Sequence, residues 1–493
     1  MSFSAEKKLT VHFETLGCRL NQDETEGAAH SFLQNGFISD LEPVTAKSKV
    51  DENVVLAVIN TCTVTGKAEQ KARRLIRLML EKYPCAPVIV TGCYAQLDAE
   101  QIVSICPERI AVLPGTQKYI LSAISDKMHS DGIMSASGLK DFIRTNDKKL
   151  HFVESPVSGS VKPLILNPFS LYTPVFEKHS RASLKIQDGC SCECSFCRIH
   201  LARGKPVSLN VEEVIRRVQE LESAGSKEIV LSGVNLSQYS GECADGTHCS
   251  LSRLLSRLLE ETGNVSFRIS SLYPQSISDE LCSVLSSPRI QPFFHLSIQS
   301  GSEKILSLMK RPHSVEHVVQ SIKKLRAVKE NPFISCDMIA GFPGETEEDF
   351  EMTRRLCLDQ KFAWIHAFPF SPRPDTPARL MRPQIPERVK GERVKCLTDI
   401  AVQGKMDYIR YWTGRTLTAV VENSRALRRL SGQNLMQDIV HCVTSNFLHV
   451  ECQSVQGAVP GSLVNVKIGD VMEESISSGG EIECQGTIER IVR

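Results

Sequence analysis

The 493-residue chain carries 58 basic and 57 acidic side chains, a net charge of +1, and is 41% hydrophobic. That length exceeds one compact core and predicts roughly two to four domains. The near-zero charge gives no case by itself for nucleic-acid binding, though it does not exclude a local basic path. The start, MSFSAEKKLTVHF, lacks a basic-then-apolar leader, and no apolar run reaches membrane-spanning length. A cytoplasmic protein with no membrane partner is expected.

Eighteen cysteines are many for a reducing compartment, where disulfide staples are disfavoured. They read as small buried hydrophobes or metal ligands. Three early ones follow strands. LTVHFETLGC alternates like a half-buried strand, breaks at Gly17 and presents Cys18. NVVLAVINTC is a near-continuous apolar run, typical of a buried parallel strand, that ends at Cys62. APVIVTGC repeats the pattern and ends at Cys93, whereas RIAVLPG stops without a cysteine. Between them, AEQKARRLIRLMLEKY is amphipathic, with Ala72, Leu75, Leu78, Met79 and Leu80 on the apolar side. Strand–helix alternation predicts right-handed crossovers and an N-terminal parallel α/β sheet. The carboxyl ends of its strands line one edge, where ligands bind. Cys18, Cys62 and Cys93 then converge, and three thiols at one edge suit a cluster with one open position. For any one of them alone, a small residue at a tight turn is the plainer reading. Cys85 and Cys106 follow no strand and read as structural.

In the middle of the chain, ASLKIQ is a short strand broken at Asp188-Gly189, followed by CSCECSFCRIH. Cys190, Cys194 and Cys197 have the spacing C-x3-C-x2-C, with Cys192 aimed elsewhere. NVEEVIRRVQELESAG is a helix capped by Asn210 and Glu213 and stopped at Gly225. The strands EIVLSG, VSFRISS, FFHLSIQSG, FISCDMIAGFPG and FAWIHAFPFS follow. Six strands in this region predict a central open (β/α)6 partial barrel with functional residues at the strand carboxyl ends. The triplet itself has three readings. These are a structural zinc site with His200 as fourth ligand, a disulfide pair, and a four-iron cluster with one iron left open.

A C-x3-C-x2-C triplet at the end of a first barrel strand resembles that of the radical S-adenosylmethionine (radical SAM) enzymes. The words LKIQDGC, HLSIQSGSEKIL, DMIAGFPGETEEDF and HAFPFSPRPDTPA resemble those of the radical methylthiotransferases. So do TLGCRLNQDETEG, VINTCTVTGKAEQKAR and VTGCYAQ, and the likeness runs from residue 10 to at least residue 400. It implies that Cys190, Cys194 and Cys197 hold a 4Fe-4S cluster that cleaves S-adenosylmethionine to a 5′-deoxyadenosyl radical. It also implies a second, auxiliary 4Fe-4S cluster on Cys18, Cys62 and Cys93 that carries the sulfur to be transferred. Two S-adenosylmethionine molecules per turnover and an electron donor such as flavodoxin or ferredoxin come with that chemistry. The cofactor is expected across the strand ends, where Gly233 lets the backbone approach it closely. Ser297 and Gln299 would hydrogen-bond it, and Gly341 and Glu345 would lie on its adenine side. Plainer readings stand beside these. Gly341 to Gly344 also read as a strand-to-helix turn with Thr346 as cap, and Gln299 as a cross-barrel hydrogen bond. Asp337 and His366 are barrel-strand polar residues, either satisfied in the core or facing the site.

The last stretch changes character. RTLTAVVEN, FLHVECQ, SLVNVKIG and GEIECQGTIERIV are short strands between Gly, Ser and Pro, which predicts a small all-β barrel. The resemblance places a TRAM-like RNA-binding domain there, and SRALRRL, with Arg425, Arg428 and Arg429, is its dense basic cluster. The expected organisation is an N-terminal domain over residues 1–135, a linker over 136–178, the radical SAM domain over 179–404 and the β-barrel over 405–493. NTCTVTGKAEQKARR and TLGCRLNQ resemble most the branch that methylthiolates threonylcarbamoyladenosine beside the tRNA anticodon. Isopentenyladenosine tRNA, an aspartate of a ribosomal protein, and a non-catalytic zinc-bound RNA-binding module are the alternatives. The basic helix from Lys67 to Arg77 agrees with an RNA substrate and equally with a solvated face. Two departures from the family pattern are His200 after the triplet and Val207 and Leu209 after Ala202-Arg203-Gly204, where relatives often carry arginines. Arg203 is kept as a candidate for a substrate-phosphate contact.

Overall fold

The computed structural model describes residues 9–149, 153–154, 161–162, 168–176, 180–429 and 436–492. They form two compact units. The first comprises Met1–Thr173, Asp188–Ser191 and Cys197–Lys205, and the second Pro174–Gln187, Cys192–Phe196 and Pro206–Arg493.

The first unit is built on strands β1 (Thr10–Thr15), β2 (Ile38–Asp40), β3 (Val54–Thr61), β4 (Val88–Gly92) and β5 (Ile110–Val112). Their order is β2-β1-β3-β4-β5 with every pairing parallel, as the strand–helix alternation requires. Helices α1 (Arg19–Gln34), α2 (Gly66–Lys82), α3 (Cys93–Leu97), α4 (Ala99–Val103), α5 (Ile120–Asp131) and α6 (Ala136–Lys149) complete it. Strand β3 is apolar throughout because both its faces are covered. Leu56 and Val58 join Phe13, Phe32 and Ile124 in one core, while Ala57 and Ile59 join Ile76, Met79 and Val90 in the other.

The apolar line of α2 differs from the expected one. Ala72, Ile76 and Met79, spaced four and three residues apart, are fully buried, whereas Leu75, Leu78 and Leu80 only flank the core. Helix α6 begins at residue 136, where a linker was expected, and its Leu139 and Ile143 belong to the first core. Any linker therefore starts beyond it.

In the second unit, β6 (Ala182–Lys185), β7 (Glu228–Ser232) and β8 (Ser266–Ile269) pair in parallel, as do β9 (Phe293–Gln299), β10 (Phe333–Ala340) and β11 (Trp364–Pro369). The parallel bridges Phe267↔Ile290 and Leu272↔Leu296 join the two halves, so six strands stand in chain order. This is the expected (β/α)6 row. The 26-residue helix after it, Glu387–Trp412, runs straight through the boundary drawn at residue 404. Its Met406, Tyr408, Ile409 and Trp412 enter the core of the terminal barrel beside Val440, Val450, Val466 and Ile488.

That barrel is closed. Strands β12 (Thr416–Arg429), β13 (Met436–Thr444), β14 (His449–Gln453), β15 (Leu463–Val471) and β16 (Cys484–Ile491) follow one another as β12-β13-β14-β16-β15. Strand β13 was not read from the sequence, because Gln437, Asp438 and His441 break its apolar alternation. The backbone of Arg425, Arg428 and Arg429 runs along β12, and Leu430 at the end of SRALRRL lies outside the described residues. No helix among the described residues is long and apolar enough to cross a membrane.

The burial of α2 gives a direct test. Ile76→Ala, at a fully buried position, is expected to cost about 2–5 kcal/mol in the first unit, and Leu75→Ala clearly less. Hydrogen exchange of the β3 and β4 amides under increasing urea would measure both. Equal losses would contradict the register of the helix.

Candidate functional site

Three thiols stand at the carboxyl edge of the first sheet. Cys18 lies three residues beyond β1, Cys62 follows β3 directly, and Cys93 follows Gly92 at the end of β4 and opens α3. The turn at Gly17 is set by that crowding. Its φ is +115°, and a Cβ there would lie 2.6 Å from the Cys62 Cβ and 3.0 Å from its Sγ, so only glycine fits. Asn21, wholly buried, ties the turns together by donating to the Leu16 carbonyl at 2.8 Å and to the Thr61 carbonyl at 3.2 Å. Asn60 in turn donates to the Asn21 carbonyl at 3.0 Å.

Arg203, at the end of α7 (Ile199–Arg203), belongs to this unit, and its side chain is buried beside the thiols. Its Nε donates to the Cys93 Sγ at 3.3 Å, and its Nη2 to the Asn21 Oδ1 at 2.7 Å. Its Nη1 donates to Glu24 Oε1 and to both Asp188 oxygens, each at 3.0 Å. Lys118 is ion-paired to the same Glu24. Burial alone would lower the guanidinium pKa, but Asp188 and Glu24 outweigh it and hold the charge firmly. This corrects the expectation that Arg203 reaches a substrate phosphate, since its donors are consumed inside the protein. The neighbouring Arg198 is likewise buried, with Nη1 on Asp98 at 3.0 Å and on Glu69 at 3.3 Å.

Burial pushes the Cys62 thiol up to about 11, and the Cys93 and Cys18 sulfurs push the same way. Cys18 is raised by burial first, against the pull of Arg203, and again Cys93 adds to the rise. Cys18 and Cys62 thus both feel the Cys93 sulfur and stay protonated unless a cation replaces their protons. Among the described residues no three ligating side chains close in tightly enough for a single ion. A four-iron cube seats each thiolate on its own iron and accepts a wider spacing, so this donor set fits such a cluster. None of the cysteines is in a disulfide.

The second triplet is divided between the units. In the first, the Cys190 amide donates to the Gly204 carbonyl at 3.0 Å, and the Ile199 amide donates to the Cys197 Sγ at 3.3 Å. His200 lies in α7 with a buried Nδ1 that has no partner among the described residues. In the second unit Cys194 is buried, and Arg311 Nη1 donates to its Sγ at 3.3 Å. Arg311 also donates to the Tyr273 hydroxyl at 3.1 Å and to the Ser297 carbonyl at 2.6 Å, and lies 4.3 Å over the Tyr273 ring. Cys192 takes different partners, Gln238 at 3.6 Å and Asn235 at 3.9 Å.

The residues expected to contact S-adenosylmethionine all lie at strand ends of the second unit. A Cβ at Gly233 would meet Gln187 Oε1 at 3.0 Å and Leu236 Cδ2 at 2.7 Å, so the close neighbours here are the protein's own. Ser297 accepts from Arg311 through its carbonyl. Gln299 closes β9 at φ +83°, a conformation uncommon for a side chain of this kind. The Gly341 amide donates to Glu345 Oε2 at 2.7 Å, and Arg393 donates to the same oxygen at 2.6 Å. Glu345 thereby locks the GFPGE loop on itself, while its Oε1 is buried with no partner among the described residues. Thr346 caps the next helix, Glu347–Gln360, in a capping box with Asp349.

Sequence reasoning missed Asn21, Arg198 and Arg311. Lys310-Arg311 reads as a surface basic pair after a short helix, and nothing in the local pattern marks one of the two as buried. Arg203 was noticed and given the wrong partner.

Two family models match the chain, "Radical SAM superfamily" over residues 184–357 and "Uncharacterized protein family UPF0004" over residues 10–113. The threonylcarbamoyladenosine tRNA methylthiotransferase MtaB of Treponema pallidum is 42% identical over 453 residues, covering 85% of this chain and 92% of that protein. The MtaB of Bacillus subtilis is 33% identical, covering 93% of each. The tRNA-2-methylthio-N(6)-dimethylallyladenosine synthase of Vibrio parahaemolyticus is 30% identical, covering 95% of this chain and 91% of that protein. Among solved structures, the radical S-adenosylmethionine methyltransferase TsrM from Kitasatospora setae shares the fold with a TM-score of 0.50 at 13% identity, covering 76% of this chain and 77% of that one. Sequence words, strand-end thiols and relatives matched over nearly their whole length agree, and the chain belongs to the radical S-adenosylmethionine tRNA methylthiotransferase family that includes MtaB.

Proposed function

We propose that this protein transfers a methylthio group to carbon 2 of N6-threonylcarbamoyladenosine next to the anticodon of tRNA. The observation that carries the reading is the convergence of Cys18, Cys62 and Cys93 at one sheet edge in a chain 42% identical to an MtaB over 92% of that protein. Cys190, Cys194 and Cys197 would hold the radical-generating 4Fe-4S cluster, and Cys18, Cys62 and Cys93 the auxiliary one. When bound, S-adenosylmethionine and the clusters supply the hydrogen-abstracting radical, the methyl group and the sulfur.

The chain's own residues bind, orient and shield. Arg203 sets a fixed positive charge against Cys93, and Arg311 sets another against Cys194. Each lowers the cost of a negative cluster held away from water. Gly233, Ser297, Gln299, Gly341 and Glu345 stand at or just beyond the strand ends where the cofactor would lie, and Glu345 holds the Gly341 loop in place there. The exposed bases Lys67, Lys71, Arg74 and Arg77 of α2 would meet tRNA phosphates. A flavodoxin or ferredoxin would supply electrons, in the cytoplasm.

Nucleoside analysis of tRNA from a strain lacking the gene tests the substrate. Loss of the 2-methylthio form of threonylcarbamoyladenosine is expected, and an unchanged level would refute the reading. Anaerobic reconstitution is expected to give about eight irons per chain, four for each cluster; stoichiometric zinc would overturn the chemistry.

The two triplets are expected to separate by mutation. Cys194→Ala abolishes cleavage of S-adenosylmethionine, whereas Cys62→Ala retains cleavage and loses thiolation. Loss of cleavage in both variants would contradict separate roles. The double reversal Lys71→Glu/Arg74→Glu is expected to weaken tRNA binding and to flatten its log–log salt dependence by about one to two. An unchanged slope would mean that this face is merely solvated.

A further inference from the structure

Strands β9, β10 and β11 bury one set of side chains, while the opposite face is covered by the terminal-barrel core at Phe293, Phe333 and Trp364 and opens beyond them at His366 and Phe368. Phe294, Leu296, Cys336, Met338 and Ile365 are buried, while the alternate set on the opposite face carries His295, Asp337, His366 and Phe368. A face that only closed a core would be apolar. Here His295 Nε2 lies 3.1 Å from Asp337 Oδ2, and its Nδ1 lies 2.9 Å from the Ser335 hydroxyl. The His366 ring stands edge-on to His295 at 5.4 Å and nearly parallel to Phe368, at 6.5 Å with planes 9° apart. His366 is open to solvent, and its nitrogens have no hydrogen-bond partner among the described residues. Phe368, a large apolar ring, is 44% exposed.

Burial pushes the Asp337 carboxyl up, but the hydrogen bond from His295 more than offsets it, with help from His366 and Arg311, so the group is ionised at neutral pH. Crowding by protein, then His295, moves His366 down to about 4, although it touches solvent. The exposed His366 and Phe368 rings stand beside the His295–Asp337 pair. At neutral pH this surface offers an anionic acceptor, a neutral imidazole able to donate and accept, and a flat apolar wall. The charge of Arg311, the residue on Cys194, acts on Asp337, and that of Lys405 on His366.

We propose that His366, Asp337 and Phe368 form the pocket that reads the N6 substituent of the substrate adenosine, selecting a polar, hydrogen-bonding group over an alkyl one. This rests on the reading under Proposed function and extends it to the basis of substrate choice. The base lies against Phe368 and His366, since every base has a face that stacks on an aromatic ring. Asp337 accepts from the N–H or hydroxyl of a threonylcarbamoyl group, and His366 donates to its carbonyl or carboxylate. A dimethylallyl group would fill the same space, strip water from both residues, and leave Asp337 with His295 alone and His366 with no partner. Sites built to hydrogen-bond a substrate reject analogues that lack the group far more strongly than apolar sites reject extra atoms.

Binding can be measured apart from catalysis. Three anticodon stem-loop RNAs, identical except for a threonylcarbamoyl, a dimethylallyl or no substituent on N6, are titrated into the reconstituted holoenzyme without S-adenosylmethionine and followed by fluorescence anisotropy. The wild type is expected to prefer the threonylcarbamoyl RNA over the dimethylallyl RNA by at least about tenfold. In His366→Phe, which keeps the ring and loses the nitrogens, and in Asp337→Asn, which keeps the shape and loses the charge, the preference should fall toward one. His366 is solvent-exposed, so its variant is expected to fold even if breaking the His295–Asp337 pair disturbs the other. If both variants keep the wild-type preference while the wild type converts the threonylcarbamoyl RNA, the pocket lies elsewhere and the proposed function stands. If the wild type neither prefers nor converts that RNA, the proposed function and this inference fall together.

Discussion

The sulfur-bearing unit depends on one buried charge. Arg203 lies among Cys93, Asn21, Glu24 and Asp188, where an unpaired guanidinium would cost several kcal/mol. Two carboxylates repay that cost, and Lys118 on Glu24 balances the second of them. The same hydrogen bonds fix Asp188 and α7 into the first unit, although both are far from the sheet in sequence. The segment carrying Cys190 and Cys197 therefore inherits its position from the charge that faces Cys93. Removing the guanidinium would take its donors from Glu24, Asp188 and Cys93 at once, with Lys118 still on Glu24. The cost would fall on the ligand loops before it reached the rest of the sheet.

Parallel topology does the remaining work of assembly. Parallel strands all point the same way, so the turns that leave them, from distant parts of the sequence, collect along one edge. Cys18, Cys62 and Cys93 use that edge in the first unit. Cys194, Ser297 and Gln299 belong to the second, which uses the same device. The long helix Glu387–Trp412 then makes the six-stranded row and the β-barrel one unit, because its last turns complete the barrel core while Arg393 near its start grips Glu345. A loop at the cofactor edge and a domain core are thus fastened to a single rigid rod.

Much of this was legible in the sequence, and the illegible parts share a cause. Strand ends and their cysteines were readable because apolar runs and glycine breaks are local signals. Ile76 as the centre of the α2 face was blurred by Leu75, Leu78 and Leu80, since a helix rich in leucine offers several apolar lines and only the sheet selects one. Strand β13 was hidden by Gln437, Asp438 and His441. The charges were the hardest. Arg203 and Arg311 sit in basic stretches that look solvent-facing, yet their guanidinia are engaged by Glu24 and Cys93, more than a hundred residues away, for Arg203 and by Cys194 for Arg311. Pairing at such separation leaves no periodic trace.

The distribution of charge bears on how a nearly neutral protein selects an RNA. With a net charge of +1, little of the affinity comes from the molecule as a whole. The exposed bases of α2 offer a short local path, and phosphate contacts there would be blind to sequence and to base modification. Discrimination must then be made where a base edge or its substituent meets fixed polar atoms. The face of β9, β10 and β11 that opens at His366 and Phe368 has that character, with an ionised carboxylate and a neutral imidazole held by a strand framework rather than by a loop. Rigid placement matters, because an acceptor that relaxed around an alkyl group would forfeit the penalty on which selection depends. Weak general attraction combined with a stiff polar pocket lets most tRNAs leave quickly while one modified adenosine stays long enough for radical chemistry.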